Sequence, residues 1–284
     1  LSPLSTRDWS WTVNFTAAYM KDILKRSYTD EPALERFTNG NAALDGFPVS
    51  GFWSIPFIGL SPKNGTPLFA VMDQVGGEMQ KVSGSLLDYL VYSGDSEPRV
   101  SGGISTTVRY KRFTLNAMFN YQLGHYKRLN PFITSSNNGM LSIPGADVNA
   151  STELLNRWQQ PGDETRTRIP ALSTRDEDVS QYLPDNSLSL GNYNTVYRYS
   201  LYNRSTERVV SASHLRCNRI SLNYQTKIPR IAEINLGITV TNPFIIKNHR
   251  LGDQDPEVMS MNADSYTPTM KRQQNYSISA EFIF

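Results

Sequence analysis

Two carboxylate groups come first, Asp163-Glu164 and Asp176-Glu177-Asp178, because paired carboxylates are the acid and base of glycosidic hydrolysis. Both lie in polar stretches with no apolar surround to enclose a substrate, so solvated loops are expected. Asp253, Asp255 and Glu257 offer oxygens of the kind calcium takes, but the set is short of a full shell and Pro256 interrupts it, which predicts a solvated turn. His125, His214 and His249 are far apart and share no metal-ligand spacing. Neither Gly76-Gly77 nor Gly102-Gly103 opens a helix, as a phosphate-cradling loop must. Cys217 is the single cysteine, which excludes an internal disulfide and a cysteine-based metal site. Neither an enzyme nor a cofactor is expected from these residues. Trp158, beside Arg157 and Pro161-Gly162-Asp163, has two readings: a stacking or docking platform, or the internal packing of a folded loop.

The elements that must position such residues follow a period of two. Trp9, Trp11, Val13, Phe15, Ala17 and Tyr19 alternate with Ser10, Thr12, Asn14, Thr16 and Ala18. Phe113 to Leu123 and Ile234 to Thr241 repeat the pattern, and shorter versions occur at Ile104 to Tyr110 and at Ile220, Leu222 and Tyr224. The last nine residues, Tyr276 to Phe284, alternate to the final aromatic. An open aromatic edge invites aggregation, and barrel closure removes it. Apolar rows opposite rows of Asn, Thr, Ser and Gln, with aromatics at strand ends, are the signature of a transmembrane β-barrel around a wet lumen. Trp9, Trp11, Tyr19, Tyr110, Tyr121, Tyr224 and Phe284 are the candidate girdle residues at its interfaces with lipid.

Composition is compatible. Of 284 residues, 19% are charged and 11% aromatic, and the net charge of +2 leaves no footprint for nucleic acid. Mean hydropathy is −0.43, and no run approaches the roughly 18 apolar residues of a membrane helix. The chain starts at Leu1 with neither an initiator Met nor a targeting segment, and a fragment of a longer protein is expected.

Turn lengths give a topology. Tyr110 to Phe113 and Thr226 to Glu233 are short reversals, whereas 125–211 and 246–272 are long and rich in Pro, Asn, Asp and Gly. Barrels have short periplasmic turns and long extracellular loops. Strands at 9–20, 99–110, 112–124, 212–226, 233–245 and 273–284 then span in alternating directions, ending in the periplasm. Between Lys21 and Pro98 an even number of further spans is allowed, including none; Gly51 to Leu60 and Thr66 to Met72 read as a hairpin.

Several connecting segments are more specific. Gly46-Phe47-Pro48 leads through Gly59-Leu60-Ser61 to Gly65-Thr66-Pro67-Leu68-Phe69; Gly94 to Pro98 precedes Gly102-Gly103 and Tyr110 to Leu115. Asn156-Arg157-Trp158, Pro161 to Thr165 and Ile169-Pro170 come next, then Ser213 to Arg216, Ile220 to Tyr224, Thr241-Asn242-Pro243-Phe244, Asp255-Pro256-Glu257 and Tyr266-Thr267-Pro268. In this order, from about Trp9 to Phe284, they resemble the C-terminal third of the SusC-like TonB-dependent transporters of the Bacteroidetes outer membrane. One departure is Asn242-Pro243-Phe244, where the family usually has an Asn-Leu-Phe-like step.

The resemblance implies an all-β fold, residues 1–284 forming the C-terminal part of an antiparallel barrel of about 22 strands in outer-membrane lipid. The plug, the TonB-contacting segment and the earlier strands would belong to the remaining fragment of the same protein. It further implies nutrient import driven by TonB, with a SusD-like lipoprotein as extracellular lid and glycans or oligopeptides as cargo, glycans being the family's usual role. Loops 21–98, 125–211 and 246–272 are the expected places of lipoprotein and substrate contact, with Trp53, Arg157, Trp158, Asp163, Tyr197 and Tyr199 as candidates. The competing reading is a soluble, secreted β-rich binding or adhesion module.

Overall fold

The computed structural model describes residues 2–27, 34–70, 87, 90–131, 151–172, 180–182, 195–229, 232–258 and 272–283. Gly76-Gly77, Asp176-Glu177-Asp178, Tyr266-Thr267-Pro268 and Phe284 lie outside the described residues, as does the side chain of Tyr197. From Leu4–Ser5 (β1) the chain enters Trp9–Tyr19 (β2), a short helix Leu34–Thr38 (α1), and the short strands Gly51–Ser54 (β3), Phe57–Leu60 (β4), Pro67–Phe69 (β5) and Val91–Asp95 (β6). Val100–Tyr110 (β7) and Phe113–Leu123 (β8) are long. Tyr126–Arg128 (β9), Ser180–Tyr182 (β10), Thr195–Tyr197 (β11), helix Arg198–Asn203 (α2) and Val209–Ser211 (β12) are short. His214–Ile228 (β13), Ala232–Lys247 (β14) and Asn275–Ile283 (β15) are long again.

The six long strands, with the two-residue β1 at one edge, form one antiparallel sheet of seven, in the order β1-β2-β7-β8-β13-β14-β15. Sequence neighbours among them are spatial neighbours, as in an up-and-down barrel wall. β2 pairs directly with β7 over its whole length, so no spanning strand intervenes from the segment between Lys21 and Pro98. The fold is all-β, as expected. The anticipated hairpin is only partly present. Phe57–Leu60 does pair with Pro67–Phe69, but Gly51–Ser54 pairs with Val91–Asp95 instead.

Two adjacent rungs across the wall display its two faces. Trp11, Val108, Leu115, Leu222, Ile238 and Ile278 lie in register on one; Thr12, Thr107, Asn116, Ser221, Thr239 and Ser277 lie in register on the other. Alternation forces this, because successive strand side chains point to opposite faces. The apolar rung is uncovered: Trp11 is 40% exposed, Ile238 54% and Ile278, on the outermost strand, 85%. Soluble monomers rarely leave so continuous an apolar band facing water. On the polar face, side chains bond one another: Thr107 Oγ1 donates to Asn116 Oδ1 at 2.8 Å, and Asn14 Nδ2 reaches Ser105 Oγ at 3.4 Å.

At the short-turn end, Trp9, Tyr110, Phe113 and Tyr224 form a continuous aromatic row across four strands. Their ring centroids are 4.3 Å apart for Trp9–Tyr110 and 4.8 Å for Phe113–Tyr224, distances at which aromatic pairs add to plain burial. Trp11, one rung in, donates its indole N–H to Thr106 Oγ1 at 2.8 Å. A donor within the apolar band thus has a partner inside the protein.

β13 contains an irregularity that the linear pattern hides. Leu215 and Cys217 share the apolar face with Ile220, Leu222 and Tyr224, although the parity changes between 217 and 220. A register shift between Cys217 and Arg219, with Asn218 as the extra residue, absorbs the change. On the facing strand, pairing jumps from Thr241 to Phe244. Asn242 there has φ of 52°, a left-handed conformation that Asn tolerates better than most residues. Pro243 sits at the bulge, where no ladder donor is needed. The Asn-Pro step is thereby accommodated without breaking the strand.

Candidate functional site at the loop end of the wall

The loop end is built on residues that leave β8. His125, Lys127 and Arg128 follow its last rung, and all three are buried. Arg128 is the organiser. Its guanidinium, 1% exposed, donates to the carbonyls of Asn203 and Ser205 through Nη1 and to those of Thr38 and Trp53, plus Ser54 Oγ, through Nη2, at 3.0–3.3 Å. It also lies 5.6 Å over the Phe52 ring. Three separate segments, α1, β3 and the end of α2, therefore converge on one side chain. Burial, with Arg204 and Arg208 nearby, pulls its pKa down to about 9. Five acceptors still favour the charged form at neutral pH.

Beside this knot Trp53 packs edge-on against Phe37, Phe47 and Tyr92 at 5.2–5.4 Å. Trp53 is 2% exposed and is a core residue of the loop layer, so its ring offers no surface to a substrate or partner. Trp158 is buried against Gly65, where an added Cβ would come within 2.4 Å of the indole, and its Nε1 donates to Glu164 Oε2 at 3.1 Å. This is the internal-packing arrangement rather than an open platform. Arg157 caps its own turn through Leu154 O, and Asp163 accepts from the backbone N–H groups of Gln159 and Gln160. Tyr199 is buried with its hydroxyl on Ala171 O. The structure does not bring these candidates together into one site.

What it does bring together was not anticipated. On the polar-face row of β13, His214 and Arg216 meet Asp255 and Glu257 from the loop after β14. Arg216 Nη2 reaches Asp255 Oδ1 at 2.6 Å and Arg216 Nε reaches Glu257 Oε1 at 2.9 Å. Glu257 Oε1 also accepts from Asn120 Nδ2 at 3.0 Å, and Arg272 closes on Glu257 Oε2. Lys127 Nζ donates to the carbonyls of Asp255 and Val258 at 3.0 and 2.7 Å. Burial would raise the Glu257 pKa, but the Asn120 and Arg216 hydrogen bonds and the two guanidinium charges hold it below the usual range. Burial pulls Lys127 down to about 8 despite the attraction of Asp255.

Asp253, Asp255 and Glu257 thus part ways: Asp253 is exposed, while the other two spend their oxygens on arginines, and the turn is not the solvated one expected. Among the described residues no three His, Cys, Asp or Glu could hold a metal ion. An open cavity of about 340 Å³ lies between Phe244–Lys247 of β14, the 252–256 turn and Arg272 to Gln274. Its wall carries Arg216, Lys247 and Arg272 against Asp253 and Asp255.

Of the girdle candidates, Trp9, Trp11, Tyr19 and Tyr110 are exposed on the apolar face or at its ends. Tyr224 is half-buried in the aromatic row. Tyr121 differs: it is 8% exposed and donates its hydroxyl to Thr16 O at 2.9 Å, so it has no free polar tip.

No protein-family model and no curated protein matches the chain. Solved structures do. The RagAB peptide transporter matches with a TM-score of 0.64 and 16% identity, over 99% of this chain and 28% of that chain. The RagAB peptide importer in its open-open state gives 0.61 and 18% over 100% and 27%; in its closed-closed state it gives 0.58 and 17% over 99% and 28%. The chain spans little more than a quarter of the length of these structures. At this identity the likeness shows the fold: nearly every residue here has a counterpart in part of a peptide importer.

Proposed function

We propose that this chain forms part of the wall and the extracellular mouth of an outer-membrane β-barrel importer of the SusC-like class. The observation that carries the reading is the wall itself: a sequential antiparallel meander, apolar and uncovered on one face, neutral and hydrogen-bonding on the other. The ordered sequence segments and the fold likeness to a peptide importer support it from independent directions. In this reading the apolar face meets lipid and the Thr/Asn/Ser face lines a hydrated lumen. TonB drives transport through the plug and N-terminal part, and a SusD-like lipoprotein covers the loop end. The cargo is oligopeptide rather than glycan. The solved structures of like fold are of a peptide importer, and that favours peptide.

Uptake tests this directly. Cells producing the intact transporter should accumulate labelled oligopeptides but not oligosaccharides of similar size, and deleting TonB should abolish the accumulation. Accumulation of neither cargo would overturn the importer reading. So would recovery of the protein in the aqueous fraction without detergent, which would favour the soluble binding module.

A further inference from the structure

His214 makes one polar contact through each ring nitrogen. Nδ1 lies 2.9 Å from the carbonyl oxygen of Ala212, and Nε2 lies 3.2 Å from Glu257 Oε1. A carbonyl only accepts. Glu257 only accepts as well, since two arginines and the Asn120 amide hold it ionised. Both ring nitrogens must then carry protons for the two contacts to be hydrogen bonds. A neutral ring that keeps the Ala212 bond turns a lone pair toward a carboxylate.

We propose that His214, as imidazolium, is a proton-dependent clasp that holds the loop after β14 against the lumen-side wall, and that the loop loosens when this proton is lost. The inference rests on the barrel reading only in naming that wall as the lumen side.

Charged and titratable groups from four elements surround the His214 ring. Facing it are Glu257 from the loop, Arg216 on its own strand, Lys247 paired across on β14, Lys127 in β9 and His125 after β8. The His125 ring lies 6.0 Å away, is 1% exposed and has no hydrogen-bond partner on either nitrogen among the described residues. Burial and the His214 charge keep it neutral, with its pKa pulled down to about 4. One histidine therefore carries the charge and its neighbour cannot share it. The clasp is at full strength while the ring keeps both protons and weakens once one is lost.

The loop's mobility reads the clasp. A nitroxide on Val258→Cys in the intact, detergent-solubilised transporter should be mostly immobile at pH 5.5, its mobile fraction rising several-fold by pH 7.5. Cys217 is buried and does not compete for label. In His214→Gln, which keeps a neutral donor, the line shape should not change over this range; a separate change near pH 8 should survive, because Lys127 loses its proton there. Glu257→Gln leaves the ring in place and should move the transition to lower pH, which covers a His214→Gln protein that fails to fold. A wild-type line shape constant from pH 5.5 to 7.5, or an unchanged transition in either variant, would overturn the clasp. Transport measured on the same protein separates this from the importer reading, since peptide uptake with no mobility change refutes the clasp alone.

Discussion

The Tyr121 ring lies across Gly102 on the neighbouring strand, so that an added Cβ at Gly102 would come within 2.5 Å of the Tyr121 hydroxyl oxygen and 2.0 Å of Thr16 O. Three strands meet at this point. The glycine leaves a trough, the tyrosine fills it, and its hydroxyl supplements the carbonyl of a strand two positions away. A backbone oxygen cannot move aside as a flexible side chain does. Gly102→Ala should therefore cost about 1–3 kcal/mol, the range for overpacking a filled site. Tyr121→Phe loses one hydrogen bond and should cost only about 1 kcal/mol. Urea midpoints of the detergent-solubilised barrel, followed by its heat-modifiable gel migration, would show the difference; equal effects would mean that the trough is not tight.

Arg128 should behave unlike any surface arginine. Removing it leaves four carbonyls and a serine hydroxyl buried among three segments. Arg128→Ala is expected to cost about 3–5 kcal/mol, the scale for breaking a buried charged network. Arg128→Lys keeps the charge but not the fork that spans both sides of the knot. The loss should be local. In both variants the loop layer should become protease-sensitive while the long strands keep their heat-modifiable mobility. Collapse of the whole barrel would show instead that the loop layer and wall fold as one unit.

Much of the wall was legible because its physics is periodic. Trp9 to Tyr19 and Phe113 to Leu123 read as strands from alternation alone, and their observed bounds lie within a residue of expectation. A strand over 212–226 is expected, but the break between Cys217 and Ile220 hid which way its first part faces, since a bulge is invisible to a strict period of two until the partner strand is seen. The loop layer was not legible. Trp53 has an aromatic's chemistry wherever it sits, and only the tertiary packing of Phe37, Phe47 and Tyr92 shows that it is core. His214, Arg216, Asp255 and Glu257 all lie in connecting segments or at strand ends. Their pairing joins residues some 40 apart, and no local pattern encodes that. Counting by twos from Ile220 even puts His214 and Arg216 on the apolar row, and only the shift between Cys217 and Arg219 returns them to the polar one.

His125 gives the acid limb of stability. Its pKa in the fold is about 4, against roughly 6.5 in an unfolded chain. Between these values the unfolded state binds the extra proton, so stability falls as pH drops from about 6.5 to 4. The full difference is on the order of 3 kcal/mol. His125→Phe fills a similar volume without a titrating group and should flatten this limb. Unfolding midpoints at pH 4, 5 and 7 would check it; a variant as acid-sensitive as the wild type would assign the limb to other groups.

The two faces of β14 give the sharpest test of how the wall is oriented. Ile238 and Thr239 are adjacent, occupy the middle of the strand and point to opposite sides of the sheet. If the Ile238 side meets lipid, an arginine there must sit in hydrocarbon near mid-depth, at a cost of about 2–4 kcal/mol. On that orientation the same arginine at Thr239 enters a hydrated lumen beside Ser221 and Ser277 and should cost little. Both substitutions add the same side chain one residue apart, so propensity and length cancel between them. Ile238→Arg should lower the unfolding midpoint and the yield of inserted barrel, while Thr239→Arg should leave both near wild type. A bilayer-embedded quencher should likewise reach a fluorophore on Ile238→Cys and not one on Thr239→Cys. Reversal of either pair would place lipid on the polar side and remove the basis for an importer.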